Sequence, residues 1–228
     1  MRINKYLAEQ KLATRRGADE LIKQGLVKLN GRLAQLGDEV NEGDEVVLHK
    51  KVIEKTYTYL AYHKPIGIAT NSSDEKEVDI RKSLALPRDM FPIGRLDKNS
   101  SGLIILTNDG RITDALLNPD KNHEKEYVVT INKTVDPEAI KKLSSGIRIE
   151  NYKTKKARAT KTGDKEITII LTEGKKHQVR RMVVACGYEV IRLVRTRIMN
   201  IELGDLEAGR YRKLEGEELS TFLKKLGL

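Results

Sequence analysis

Cysteine is nearly absent from this 228-residue chain: Cys186 is the only one, so no disulfide framework can form within it. It sits in the apolar run Val183-Val184-Ala185-Cys186 and reads as a small buried hydrophobe, which fits a reducing compartment. No apolar stretch approaches the length of a bilayer span, and the N-terminus lacks the apolar core of a signal peptide, so a cytoplasmic protein is expected. His49, His63, His123 and His177 are scattered and give no metal-ligand spacing. Gly94 to Gly102 is not a phosphate-loop spacing and no Gly-Lys-Ser/Thr follows, which argues against nucleotide hydrolysis. Fixed-period repeats and low-complexity tracts are also missing.

Positive charge is in surplus. Lys and Arg number 43 against 33 Asp and Glu, a net +10, which points to an acidic partner such as nucleic acid. The surplus is local. Residues 148–197 hold fourteen basic and five acidic side chains, residues 1–32 eight and three, while 33–47 hold five acidic and no basic ones. Two separated basic regions offer two places to hold a phosphate backbone. At 39% apolar content the chain can bury a core.

The pattern predicts helices over 2–10 and from an N-cap at Thr14 to Gly25, then a hairpin turning at Asn30-Gly31 and a strand at Val46–Leu48. The charged segment 49–56 reads as a linker. Beyond it, strands are expected at 57–62, 66–70, 103–107, 126–131, 167–171, 190–193 and 199–203. Helices are expected at 112–117, from Asp136-Pro137 to about 143, and at 179–186. Strands and helices mix without βαβ alternation, which predicts an α+β class with a largely antiparallel sheet.

Arg15 and Arg16 stand in the first turn of the second helix, where cations oppose the helix dipole; a phosphate site resolves the conflict. Arg2–Leu7, Thr14–Ala18 and Leu21–Gly31 together resemble the S4 RNA-binding domain over residues 1–48. The resemblance implies RNA contacts by Arg15, Arg16 and Lys23, with Lys5 adding another.

Asp97 lies in a Gly-bounded polar loop ahead of an apolar strand, a placement that suits a site carboxylate but is more often that of a turn or cap residue. The longer pattern is more telling. Gly94-Arg95-Leu96-Asp97, Ser101-Gly102-Leu103 and Leu106–Gly110 resemble the signature of the RsuA/RluB/RluF-type pseudouridine synthases. Lys64-Pro65-Ile66-Gly67, Glu124–Tyr127 and Glu173–Met182 resemble further motifs of that family, and the likeness spans residues 57–214.

The resemblance implies a catalytic domain over 57–228 that isomerises uridine to pseudouridine in structured RNA, with no cofactor and no metal. It makes Asp97 the essential carboxylate, and leaves open whether that group adds to the base or to the sugar. Tyr127 matches the tyrosine stacked on the target base, and Lys175 the basic residue paired with the aspartate, a point charge where many relatives carry Arg. Arg95 is expected to fill the gap left by the flipped-out uridine. Leu193 is either an apolar contact under the base or core packing. Lys176, Arg180 and Arg181, with Arg192, Arg195 and Arg197, would form a phosphate track.

The chain is most similar to the RluF-like large-subunit branch, which implies 23S ribosomal RNA, with 16S and transfer RNA as alternatives. A monomer without membrane association is expected. A second reading is a non-catalytic RNA-binding or ribosome-assembly protein on the same frame.

Overall fold

The computed structural model describes residues 1–49 and 56–228. The expected linker therefore lies almost wholly outside the described residues. The chain divides into two compact units, Met1–Tyr57 with Asp109–Arg111, and Thr58–Asn108 with Ile112–Leu228.

The first unit contains α1 (Ile3–Glu9), α2 (Arg15–Lys23), β1 (Val27–Leu29), β2 (Arg32–Leu33) and β3 (Val46–Leu48). Thr14 caps α2 by accepting the Gly17 amide at 3.0 Å, and Gly25 leaves the helix at φ +68°. Asn30 and Gly31 both take positive φ, the type I′ geometry expected of the hairpin. Ile3, Leu7, Ala18, Ile22, Val27 and Leu29 bury against one another as this unit's own core.

The second unit runs β4 (Tyr59–Lys64), α3 (Ile80–Leu84), β5 (Phe91–Ile93), β6 (Ser101–Thr107), α4 (Arg111–Leu117), β7 (Lys125–Ile131) and α5 (Pro137–Ser145). It continues with β8 (Arg148–Ile149), β9 (Tyr152–Lys153), β10 (Arg158–Gly163), β11 (Glu166–Leu171) and α6 (Gln178–Ala185). The last elements are β12 (Val190–Ile198), β13 (Ile201–Glu202), β14 (Tyr211–Lys213) and α7 (Gly216–Leu226).

Its main sheet follows the order β10-β11-β7-β12-β6-β4-β14, with β5 on β6 and β13 on β12. Only β6 and β12 run parallel, so the fold is α+β with a largely antiparallel sheet, as expected. Strand β7 alternates strictly, burying Lys125, Tyr127, Val129 and Ile131 on one side. That side joins Tyr62, Ile104, Leu193 and Ile169 and is covered by Ile80, Leu143, Val179 and Met182 from α3, α5 and α6.

One strand expectation fails and another is met only in part, for visible reasons. Residues 66–70 form a turn with a single bridge, Ala69 to Asp79, because Pro65 has no amide to donate and Gly67 turns at φ +89°. Strand β12 runs on to Ile198, and Met199, at φ +54°, then turns the chain into β13.

Candidate active site

The pairing registers place one row of residues straight across the sheet. Lys64 lies opposite Gly102, Gly102 opposite Arg195, Arg195 opposite Tyr127, and Tyr127 opposite Ile169. Directly opposed residues share a face. Lys64, Arg195 and Tyr127 therefore project to the side that carries the apolar core, at the point where that core gives way to charge. Gly102 is required here: at φ +116°, an added Cβ would lie 2.4 Å from both N and O of Arg195.

Asp97 stands in the connection from β5 to β6. Gly94, at φ +76°, turns the chain, and the side chain of Leu96 is buried in the core beneath. Thr70, itself buried, holds both sides of Leu96: its Oγ1 accepts the Leu96 amide at 3.0 Å and donates to the Leu96 carbonyl at 2.7 Å. The Gly67 amide donates to the Lys98 carbonyl at 2.9 Å, and Lys98 pairs with Glu77 at 2.8 Å. Between buried Leu96 and buried Ser100 the Asp97 side chain stays 31% exposed, fixed at its base and partly reachable from solvent. This is a loop group on rigid support.

Lys64 is wholly buried, and its Nζ donates to the carbonyls of Pro65 and Ile68 at 2.9 and 2.7 Å. Burial pushes its ammonium down to about 8; the Asp97 carboxylate opposes that shift and the Arg195 charge adds to it. Lys125, two residues before Tyr127 on the same face, is likewise pushed down to about 8, by burial first and by Arg195 second.

The side chain facing Asp97 is not the expected one. His177 Nε2 lies 3.1 Å from Asp97 Oδ1, while Lys175 forms no ion pair with Asp97 among the described residues. The backbone explains the difference. His177 caps α6 in the left-handed region at φ +53° and is thereby aimed at the loop. Lys175 is one position earlier than Lys176 in an exposed turn, with its amide on Gln178 Oε1 at 2.9 Å and its Nζ 5.9 Å from the centre of the Tyr152 ring. Gln178 is buried and donates to Glu173 at 2.6 Å, which fixes this turn against β9.

Other expected site residues fall as follows. Tyr127 is buried in mid-sheet and Leu193 is core packing opposite Val129. Arg95 is exposed. Arg180 reaches back to the Asp97 loop, donating to the Asn99 carbonyl at 2.5 Å and to Ser100 Oγ at 3.2 Å. Arg181 pairs with Glu150 at 2.6 Å, Arg197 pairs with Glu124 and Glu126, and Lys176 is exposed. In the first unit Arg15, Arg16, Lys5 and Lys23 are all exposed, with Lys5 and Lys23 in local pairs with Glu9 and Glu20. Sequence reasoning had no role for His177 and left Lys64 as part of a loop motif. The adjacency of His177 to the basic run was the one available signal.

A partly exposed carboxylate that acts on a buried lysine marks a candidate site, and comparison with known proteins gives the family. Residues 58–185 match the family described as RNA pseudouridylate synthase, and residues 1–46 match the S4 domain. The chain belongs to the RNA pseudouridylate synthase family. The synthase is 40% identical over 228 residues to the dual-specificity RNA pseudouridine synthase RluF of Escherichia coli (strain K12), covering 98% of this chain and 79% of that one. It is 36% identical over 230 residues to the ribosomal large subunit pseudouridine synthase B of Bacillus subtilis (strain 168), covering 96% and 93%. A solved pseudouridylate synthase superposes with TM-score 0.71 at 28% identity over 99% of both chains. The synthase is accordingly an isomerase acting on RNA, with an S4 domain at its N-terminal end.

Proposed function

We propose that this synthase converts uridine to pseudouridine at a defined position of ribosomal RNA, in the large subunit, with Asp97 as the essential carboxylate. The observation that carries the reading is the Asp97 loop, fastened through Leu96 and Lys98, with a partly exposed carboxylate that meets His177 and acts on buried Lys64. The name of one curated relative, a ribosomal large subunit pseudouridine synthase, supports ribosomal RNA, and the other's dual specificity for RNA gives reason to examine transfer RNA as a second substrate class.

In the reaction the C1′–N1 bond breaks, the uracil turns, and C5 bonds to C1′; C5 gives up a proton and N1 gains one, so composition is unchanged. Arg95, exposed beside Asp97, fills the space vacated by the flipped uridine. Tyr127 stacks on the base and Leu193 supports that packing from below. Lys175, exposed two positions before His177, is the basic residue that pairs with the carboxylate in the reacting complex. Residues 1–48 grip RNA through Arg15, Arg16, Lys23 and Lys5, and Lys176, Arg180 and Arg181 extend the track beside the site. The protein works as a cytoplasmic monomer; among the described residues no helix is long and apolar enough to cross a membrane.

The test is a pseudouridine map of ribosomal and transfer RNA from cells lacking the gene and from cells carrying Asp97→Asn. One position is expected to lose its modification in both strains. In vitro, Asp97→Asn should bind RNA within a few-fold of wild type and lose activity by about 10²–10⁴-fold or more. Unchanged maps in both strains would remove the ribosomal assignment, and an active Asp97→Asn protein would remove the role of Asp97.

A further inference from the structure

Arg195 was one of six cations along the expected phosphate track, yet it is 3% exposed in the middle of β12. A guanidinium so placed cannot meet a phosphate backbone at the surface, and burying its charge is costly unless its donors are used. Two of its nitrogens are used on either side of Asp97, one on the loop itself and one inside β6, the strand that follows it. Nε donates to the Leu103 carbonyl at 2.7 Å, and Nη1 to the Arg95 carbonyl at 3.4 Å. Arg95 precedes Asp97 by two positions and Leu103 follows it by six, so one side chain ties both stems of the loop to the central strand. Nη2 is buried and has no hydrogen-bond partner among the described residues, so this end of the guanidinium adds no bond that holds the fold together.

The surrounding charges agree. The positive field of Arg195 contributes to holding down both Lys64 and Lys125, and Asp97 acts on Lys64 in the opposite sense. Buried positive charge is thus concentrated below the one carboxylate of the loop. The backbone is shaped to permit this, since Gly102 has no Cβ where the main chain of Arg195 passes.

We propose that Arg195 is a positioning residue of the isomerisation, tying both stems of the Asp97 loop to β12 and so setting where that carboxylate stands against the target uridine. This rests on Asp97 being the essential carboxylate. Lysine at 195 keeps the charge but can reach only one of the two carbonyls at a time; glutamine keeps a donor without the charge.

The experiment uses full-length wild type, Arg195→Lys, Arg195→Gln and Asp97→Asn, with total RNA from cells lacking the gene as substrate. Three quantities are read for each protein: RNA affinity with its salt dependence, the single-turnover rate of pseudouridine formation at saturating enzyme, and the melting curve. Both Arg195 variants are expected to bind RNA within about twofold of wild type, with an unchanged salt slope. The single-turnover rate should fall on the order of 10²-fold in Arg195→Gln, a loss typical of a misplaced reacting group, and less in Arg195→Lys. Wild-type rates in both variants beside an inactive Asp97→Asn would overturn this proposal alone. Weakened binding and a shallower salt slope with the saturated rate retained would make Arg195 a phosphate contact and overturn it. Loss of cooperative melting in both variants would make it a folding residue, with the same consequence. An active Asp97→Asn would instead remove the reading on which the proposal stands.

Discussion

Lys64 and Lys125 carry their ammonium groups into the core side of the sheet, and each is pushed down to about 8 from its ordinary value near 10.5. The consequence for stability has a definite sign. Between about pH 8 and 10.5 the unfolded chain holds protons that the folded chain has released, so stability rises with pH across that window and is lost as pH falls back through 8. Each lysine contributes up to about 1.4 kcal/mol per pH unit there. Tyr152 sets an upper limit, because burial and Glu173 push its phenol up to about 12, and stability is lost above pH 10 as the unfolded tyrosine ionises. Urea unfolding between pH 8 and 9.5 should therefore show free energy increasing with pH in wild type, and a shallower increase in Lys125→Met. An identical slope in the two proteins would mean that Lys125 has an ordinary affinity for its proton in the fold.

The elements that the sequence reveals are those whose apolar spacing or capping chemistry is local. Thr14 and Gly25 bracket α2, Asn30-Gly31 turns the hairpin, and the alternation of β7 is unbroken from Lys125 to Ile131. Elements without such a signal pass unread. Strand β10 is polar and largely exposed, so pairing with β11, not its own pattern, makes it a strand. The path of 65–70 is held by Lys64 Nζ donating to the Pro65 and Ile68 carbonyls, a contact that no spacing encodes.

Gly102 is the sharpest such case. In sequence it is part of a motif, while in the sheet it is the only residue type that lets β6 and β12 approach where Arg195 sits. Gly102→Ala is expected to cost at least about 2 kcal/mol, from the left-handed backbone and the backbone overlap together. For a chain of this size that lowers the melting temperature by about 4–8 °C. A melting temperature within a degree of wild type would show that the strands can separate at that point without penalty.

Across the molecule, the site was legible where chemistry is written in a motif and illegible where it depends on which strands meet. Asp97, Tyr127 and the basic run stand out in the chain. Strand order alone decides that Lys64 and Arg195, 131 positions apart, share one row with Tyr127. The same sorting separates the cations. Arg195 and Lys64 are sealed in the second unit, Arg180 and Arg197 are committed to protein partners, and Arg15 and Arg16 remain exposed at the start of α2. Affinity and catalysis should therefore respond to different residues.

If Arg15 and Arg16 hold phosphates as proposed, replacing both by Gln removes two phosphate contacts and leaves the residues of the Asp97 loop unchanged. The slope of log affinity against log salt is expected to become shallower by about 1.4–1.8, since each neutralised phosphate contributes about 0.7–0.9. At saturating enzyme the single-turnover rate should stay within about twofold of wild type, the converse of what is expected at Arg195. Titrations of the double variant at several salt concentrations check the first expectation, and rapid quenching of saturated reactions checks the second. A variant that keeps the wild-type slope would place the RNA on another face of the S4 domain. One that loses the saturated rate would mean that this domain takes part in assembling the reacting complex as well as in holding it.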